Sequence, residues 1–323
     1  MPEPGPLLAL DDVSMVFRTR KGLFRGGEVT AVSGVSLTVA RAETLALVGE
    51  SGSGKTTVGR VSLRLLQPTG GRVLFDGQEI SQVPEERLGW LRKRTAIVFQ
   101  DPFSSLNPYM TVSDLIAEPL VIEGVKDAAA RRARVRAALA AVDLTPTDRF
   151  VHAYPSSMSG GQRQRVGIAR ALIRNPEYIV ADEPVSMVDA SSRVEILDLL
   201  RGLQHDRGVA FLYITHDIAS ARHFADRIAV MHLGSIVESG SARQVIDQPV
   251  HPYTRALIAA VPEPDPANRF LRRATERWQG SPGLAIHPGC HHAESPEEPA
   301  TLLEVSGEPG HSVACHLEPA RGR

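Results

Sequence analysis

Short, nearly continuous apolar runs recur along the chain and indicate a parallel sheet. Residues 44–48, 178–181 and 209–214 are such runs, which are typical of strands buried on both faces. Residues 192–203, between the last two runs, have the right length for a crossover helix. We therefore expect an α/β core.

Other patterns predict the elements around this core. Residues 35–39 alternate apolar and polar positions, as a half-buried strand does. Residues 227–231 and 234–238 predict a closing hairpin, whereas residues 103–176 carry mainly helical signals. After about His251 the chain becomes rich in Pro, His and Glu, from Pro262 to the end, which predicts an extended appendage with little core of its own.

The helical stretch contains a segment rich in Ala and Arg, residues 127–142, whose spacing suits an amphipathic helix. Its arginines are Arg131, Arg132, Arg134 and Arg136. They form either a solvated face or a face on which a partner docks.

Composition narrows the classes of function. The chain has 323 residues and a net charge of −1, so it shows no bulk positive charge for nucleic acid. No apolar run approaches the roughly 18 residues that a membrane span needs, and the first residues lack the pattern of a secretory signal. With only two cysteines, Cys290 and Cys315, a cytosolic location without a disulfide framework is expected.

A phosphate-binding loop follows the first apolar run. Its residues are Gly49, Glu50, Ser51, Gly52, Ser53, Gly54, Lys55, Thr56 and Thr57. The glycines let backbone N–H groups curl around a phosphate chain, and the start of the following helix adds partial positive charge. Lys55 is predicted to reach the β- and γ-phosphates, and Thr56 to place its hydroxyl on Mg²⁺.

Hydrolysis needs further groups, and the ends of the predicted strands provide them. Asp182 follows the run 178–181 and is predicted to hold Mg²⁺ through its water shell. Glu183 is placed to accept a proton from the attacking water. Gln100, at another strand end, can touch the metal or the water, and His216 can contact the γ-phosphate.

A second potential anion site opens another helix. Its residues are Ser159, Gly160, Gly161 and Gln162. One nucleotide cannot usefully occupy both helix starts of one chain. If this site faces the nucleotide of another chain, the protein works as a pair.

Two further positions are candidates. Asp189 closely follows the acidic pair of Asp182 and Glu183, and Phe17 on an early strand either stacks on adenine or packs in the core.

These elements, in this order, resemble the ATP-binding cassette of ABC transporters. The resemblance covers about residues 7–252 and implies a P-loop (RecA-like) α/β fold with an antiparallel β subdomain and a helical subdomain. It identifies Gln100 as the Q-loop glutamine, Ser159–Gln162 as the signature, Asp189 as the D-loop aspartate and His216 as the switch histidine. It also implies that ATP and Mg²⁺ are the cofactors, with Thr56, Gln100 and Asp182 at the metal. Met158 stands where the family usually has Leu, a mild swap in volume.

A narrower resemblance is to the ATPases of oligopeptide and dipeptide importers. It rests on residues 98–108, 251–257 and 310–316 and on a long insertion between Arg18 and Thr30. It implies a cassette at residues 1–250, with its helical subdomain at about 102–176, and a C-terminal extension at 251–323. Nickel and some sugar importers share this subfamily, so the cargo stays open.

The same resemblance implies partners and a place in the cell. We expect a second ATPase subunit, identical or not, two membrane permeases and, indirectly, an extracellular substrate-binding protein. The chain would lie peripherally on the cytoplasmic face of the membrane, without nucleic acid. The alternatives are a soluble ABC ATPase acting on ribosomes or DNA and a binding-only module. The chain has one cassette and no coiled coil, which disfavours the first, and retains its predicted catalytic residues, which disfavours the second.

The C-terminal region departs from the family pattern. Many relatives carry four cysteines there, sometimes with an iron–sulfur cluster, and two thiolates cannot fill such a site. We expect a tail without metal. Zinc held with nearby histidines is the alternative; these histidines are His287, His291, His292, His311 and His316.

Overall fold

A computed structural model describes residues 5–18, 27–260, 302–305 and 307–314. Its strands are β1 (Leu8–Arg18), β2 (Glu28–Val39), β3 (Thr44–Val48), β4 (Gly70–Phe75), β5 (Gln78–Glu79), β6 (Thr95–Val98), β7 (Tyr178–Asp182), β8 (Ala210–Thr215), β9 (Arg227–His232), β10 (Ser235–Ser241), β11 (Leu303–Glu304) and β12 (Ser312–Val313).

The helices lie among these strands along the chain, several of them in succession between β6 and β7. They are α1 (Lys55–Ser62), α2 (Gly89–Arg94), α3 (Pro102–Ser105), α4 (Val112–Ile122), α5 (Ala128–Ala140), α6 (Thr147–Val151), α7 (Gly160–Leu172), α8 (Ala190–Arg207), α9 (Ile218–Phe224), α10 (Ala242–Asp247) and α11 (Pro252–Ala259), with 3-10 turns at Glu85–Arg87 and Pro155–Ser157. Among the residues described, no helix is both long and apolar enough to cross a bilayer.

The chain divides into two compact units. The first takes residues from Met1–Ala40, Thr44–Gln82 and Tyr213–Arg323, and the second takes Arg41–Glu43 and Val83–Leu212. Strand β8 therefore begins in the second unit and ends in the first.

The first unit contains an antiparallel sheet in the order β2-β1-β4-β5. It also contains the strands β11, β12, β10, β9 and β3, each hydrogen-bonded to the next. β3 pairs with β9 in parallel, and β9 pairs with β10 as the predicted hairpin. The hairpin turn places Leu233 and Gly234 at positive φ (45° and 89°), the backbone that a tight two-residue turn requires.

The second unit contains β6 and β7, which pair in parallel with Val98 opposite Ala181. Every residue of β7 is buried, as its apolar run predicts. The helices α3 to α7 follow β6 in sequence, and α7 contacts α3, α4 and α5. The mixed α/β architecture expected from the sequence is present.

Helix α8 is longer than the sequence pattern predicts. It begins at Ala190 because Asp189 caps it by accepting a hydrogen bond from the N–H of Ser192, and it ends at Gly208, whose φ is 65°.

The arginines of α5 are only partly a solvated face. Arg131 donates to the carbonyls of Val125 and Lys126, and Arg134 donates to the carbonyl of Ile173 at the end of α7. Arg132 and Arg136 are exposed. Two of the four therefore donate hydrogen bonds to backbone carbonyls.

The prediction of an extended appendage after His251 is wrong for the described residues. Residues 252–259 form α11, and Ser312–Val313 pairs with β10. The reason is Glu238, a buried carboxylate on β10 that accepts hydrogen bonds from the N–H groups of Val250 and His251. The insertion between β1 and β2, both cysteines and four of the five C-terminal histidines lie outside the described residues.

Candidate nucleotide site

The phosphate loop connects β3 to α1, and close backbone contacts require two of its glycines, Gly49 and Gly54. A Cβ at Gly49 would lie 2.1 Å from the carbonyl oxygen of Met231, and one at Gly54 would lie 2.2 Å from that of Ala31. Gly54 also has a φ of 105°, which side chains rarely tolerate. The loop thus leaves its inner side to backbone groups, as a phosphate cradle requires.

Lys55 places its ammonium group over this loop. Its Nζ donates to the carbonyls of Gly49 (2.8 Å) and Glu50 (2.7 Å) and lies 3.4 Å from Oγ of Ser53. The residue is 5% exposed. A buried ammonium at a helix N-terminus is a site of concentrated positive charge, suited to an anion. The loop and Lys55 therefore fit a phosphate chain.

Thr56 and Thr57 occupy the first turn of α1 and are half-buried, whereas Glu50, Ser51 and Gly52 are exposed. The two threonine hydroxyls lie on the helix that begins at the loop. Hydroxyl oxygens there are suitable ligands for phosphate or for a hard cation.

The loop is held from outside by groups that sequence reasoning missed. Gly234 donates its N–H to the carbonyl of Ser53 (3.0 Å) and accepts from the N–H of Ser33 (2.9 Å). The N–H of Glu50 donates to the hydroxyl of Tyr253 (3.1 Å). The sequence motif at 251–257 marks Tyr253 as a family feature, but nothing in the sequence shows that it reaches the loop.

Two other predicted site residues of the first unit lie on different elements. Phe17 is on β1 opposite Val29, 37% exposed, so its ring is not a core residue. His216 follows β8 and is exposed. It precedes Asp217, whose carboxylate caps α9.

In the second unit, β6 and β7 bring Gln100 and Glu183 together. Nε2 of Gln100 donates to Oε2 of Glu183 at 2.9 Å. Asp182 ends β7 and is 7% exposed. Glu183 has a φ of 45°, a strained value for a residue with a side chain. Such strain clusters at functional sites.

The signature segment forms the start of α7. Oγ of Ser159 accepts from the N–H of Gln162, whose side-chain oxygen accepts from the N–H of Ser159. These two side chains therefore form a capping box, and both are used in holding the helix start. The predicted anion site at this helix would rely on backbone groups as well as these side chains.

The signature also lies against the start of α8. A Cβ at Gly161 would be 3.0 Å from Oγ of Ser192, and that hydroxyl donates to the carboxylate of Asp189. Hydrogen bonds from Ser191 and Ser192 hold the pKa of Asp189 well below its ordinary value. An ionised aspartate thus fixes Ser192, the residue that lies against Gly161 of the signature helix.

Most of the predicted residues therefore form two groups, and Phe17 and His216 lie apart from both on their own elements. Residues 49–57 lie together in the first unit. In the second, Gln100 is bonded to Glu183, and the signature is packed against the residues that Asp189 holds.

Comparisons with known proteins identify the family of this chain. The family model for ABC transporters matches residues 32–186, and that for the C-terminal region of oligopeptide/dipeptide transporters matches residues 237–295. The chain is 43% identical over 321 residues to the oligopeptide transport ATP-binding protein AppF of Bacillus subtilis (strain 168), covering 96% of this chain and 97% of that protein.

Solved structures give the same result. A dimeric, post-hydrolysis structure of the ATP-binding cassette MJ0796, bound to ADP and Pi, matches with a TM-score of 0.65 and 31% identity, over 73% of this chain and 99% of the other. CbiO1 from Clostridium perfringens, part of the transporter complex cbiONQ, matches with a TM-score of 0.65 and 27% identity, over 75% and 91%. The chain therefore belongs to the ABC transporter family and is one of its ATP-binding cassette ATPases.

Proposed function

We propose that this chain is the ATP-hydrolysing motor subunit of a peptide importer. The ATPase part is carried by one observation, the glycine-lined loop with the Lys55 ammonium held above it. The peptide part is supported by the 43% identity, along nearly the whole chain, to a protein named for oligopeptide transport. The match of residues 237–295 to the oligopeptide/dipeptide transporter C-terminal region supports it too.

ATP would bind at the phosphate loop. The N–H groups of residues 49–57 and the ammonium of Lys55 would hold its phosphates, and the exposed ring of Phe17 would stack on the adenine. Mg²⁺ would be held by oxygen atoms of Thr56, Gln100 and Asp182, a hard donor set of the kind this ion prefers. The ion would supply neutralisation of the phosphate charge.

Glu183 would act as the general base for the attacking water. Its carboxylate already has one fixed neighbour, the amide of Gln100, which can hold the side chain in place and report on the γ-phosphate. His216 would contact that phosphate from the end of β8. Lys55 would stabilise the charge that develops during transfer.

A second cassette would complete each site. Ser159, Gly160, Gly161 and Gln162 would face the nucleotide of the partner, with Asp189 beside them. The existence of a dimeric structure of the related cassette MJ0796 supports this arrangement. The partner is either an identical chain or a similar one.

We further propose that residues 1–250 form the cassette, with a helical subdomain at about 102–176, and that 251–323 form a C-terminal extension. The second unit has a groove lined by residues of β6, α3, α4 and α7 and of the segments that follow β6 and α3, among them Phe99, Leu106, Pro119, Gln164 and Arg170. This groove is the candidate docking place for a cytoplasmic loop of a permease. The chain would act at the cytoplasmic face of the membrane, with two permeases and an extracellular binding protein.

The test is purification of the tagged full chain from detergent-solubilised membranes, with partners identified by mass spectrometry. An untagged strain is the control. Recovery of two permeases and a second cassette is the expected result, and a co-purified binding protein should bind short peptides in preference to nickel or sugars. Recovery of ribosomal or DNA-repair proteins without a permease would contradict the transport function while leaving the ATPase chemistry intact.

A further inference from the structure

Tyr253 brings the C-terminal helix α11 into contact with the phosphate loop. The residue is 2% exposed, and its hydroxyl accepts a hydrogen bond from the N–H of Glu50 at 3.1 Å. Its ring packs on that of His232, with centroids 4.1 Å apart. His232 follows Met231, whose carbonyl oxygen borders Gly49. The tyrosine is thus fitted between the end of β9 and the loop.

The peptide between Gly49 and Glu50 transmits this contact to Lys55. In a planar trans peptide the N–H and the preceding C=O point in opposite directions. Here the N–H points to Tyr253, and the carbonyl of Gly49 accepts from Nζ of Lys55 at 2.8 Å. Fixing one side of the peptide plane fixes the other. The hydroxyl of Tyr253 therefore restrains the carbonyl on which the lysine ammonium rests.

The position of Tyr253 is itself fixed by a buried hydrogen-bond cluster. Glu238 accepts from the N–H groups of Val250 (2.8 Å) and His251 (2.9 Å), and His251 is the N-cap of α11. Nε2 of His311 lies 2.8 Å from the same carboxylate. The side chains of Glu238 and His311 are fully buried. The start of α11 and the chain just before β12 thus share one carboxylate.

We propose that Tyr253 is a positioning residue for nucleotide binding, which orients the Gly49–Glu50 peptide and through it Lys55. The C-terminal region is then part of the nucleotide site, rather than an appendage to it. This inference rests on the proposed function of the loop. Burial raises the pKa of Tyr253 to about 12, so the hydroxyl stays protonated and neutral at neutral pH.

The experiment compares full-length wild-type protein with Tyr253→Phe, which keeps the ring and removes only the hydroxyl. Two quantities are measured: the Kd for Mg·ADP by calorimetry, and amide hydrogen exchange of residues 49–55 without nucleotide. Losing one hydrogen bond to the loop should weaken ADP binding about three- to tenfold. Exchange in the loop should become faster, because Glu50 loses its hydrogen-bond acceptor.

Tyr213→Phe is the matched control. Tyr213 is also fully buried, but its hydroxyl donates to Oγ of Ser220 at 3.0 Å. A similar fall in melting temperature is expected for both variants, with the Kd for ADP changed only in Tyr253→Phe. If the two variants lose stability alike and both bind ADP as the wild type does, Tyr253 is a structural residue and the proposal is wrong.

Lys55→Ala separates this inference from the function on which it rests. Wild-type binding that Lys55→Ala abolishes would support the nucleotide site, whatever Tyr253→Phe does. In that case an unchanged Kd in Tyr253→Phe overturns the positioning role alone. A wild-type chain that does not bind Mg·ADP would overturn both.

Discussion

Gly49 shows how little space the phosphate loop leaves to one residue. A Cβ there would overlap the carbonyl oxygen of Met231, which belongs to a paired strand and cannot move freely. The sequence motif accounts for this glycine by the curl of the loop. The structure adds a second cause, the close approach of β9.

We predict that Gly49→Ala destabilises the protein by about 1–3 kcal/mol, because overpacked sites must shift the backbone. It should also weaken nucleotide binding by displacing the loop. Thermal unfolding and ADP titration check both. Gly89→Ala is the control, since Gly89 begins α2 with open space around it. It should be neutral or slightly stabilising, and equal effects of the two changes would contradict the account.

His232 makes the stability of the folded protein depend on pH. Burial lowers the pKa of His232, while nearby Glu50 raises it by a smaller amount. The folded protein thus resists protonation of His232, whereas the unfolded chain accepts a proton near pH 6.5. The unfolded state then binds more protons, so this contribution to stability is present above about pH 6.5 and is lost as the pH falls below it.

We therefore expect His232→Gln to lose less stability than the wild type when the pH falls from 7.5 to 5.5. Urea unfolding at several pH values measures this directly. Parallel losses in the two proteins would show that other groups set the pH dependence.

At the scale of secondary-structure elements, the first turns of helices carry much of the proposed chemistry. Within the described residues, two helices begin with the same capping box, α7 with Ser159 and Gln162 and α10 with Ser241 and Gln244. Only the first belongs to the proposed composite site. The pair therefore separates the structural value of a cap from its value to the nucleotide of a partner.

Ser159→Ala and Ser241→Ala should each cost about 1 kcal/mol of stability, the usual value of an N-cap. Only Ser159→Ala should also weaken ATP-driven association of cassettes, measured by light scattering. Equal association of the two variants would indicate that the signature serine acts only as a cap.

The elements also show what the sequence could predict. The runs that became β3 and β7 were found because strands covered on both faces are apolar throughout. Helix α11 is not predicted by the sequence pattern, because its start is held by Glu238, more than ten residues earlier. Composition alone does not reveal a buried carboxylate that accepts hydrogen bonds from two distant N–H groups.

The site residues show the same difference between local signals, which the sequence carries, and long-range contacts, which it does not. Residues 49–57 and Asp182 could be placed from sequence, since motif and strand end define them locally. The bond between Gln100 and Glu183 spans 83 residues, and its existence depends on the parallel pairing of β6 and β7. The contact of Tyr253 with the loop spans 203 residues and had no local signal.

At the scale of the whole molecule, we propose that ATP hydrolysis is the driving reaction. The C-terminal part of the chain then belongs to the nucleotide site. Within the first unit, β12 pairs with β10, and His311 shares Glu238 with the start of α11. The described residues after 301 are thereby connected, through Glu238, to α11, the helix whose Tyr253 contacts the phosphate loop.

Glu183 offers the most direct test of this account. The measurement is ATP turnover by purified complex carrying Glu183→Gln, beside the Kd for ATP and the association of cassettes. The account predicts near wild-type ATP binding, turnover lower by about 100-fold or more because the general base is lost, and a closed pair that persists with ATP. Hydrolysis at the wild-type rate would contradict it, because the group bonded to Gln100 would then not be the base.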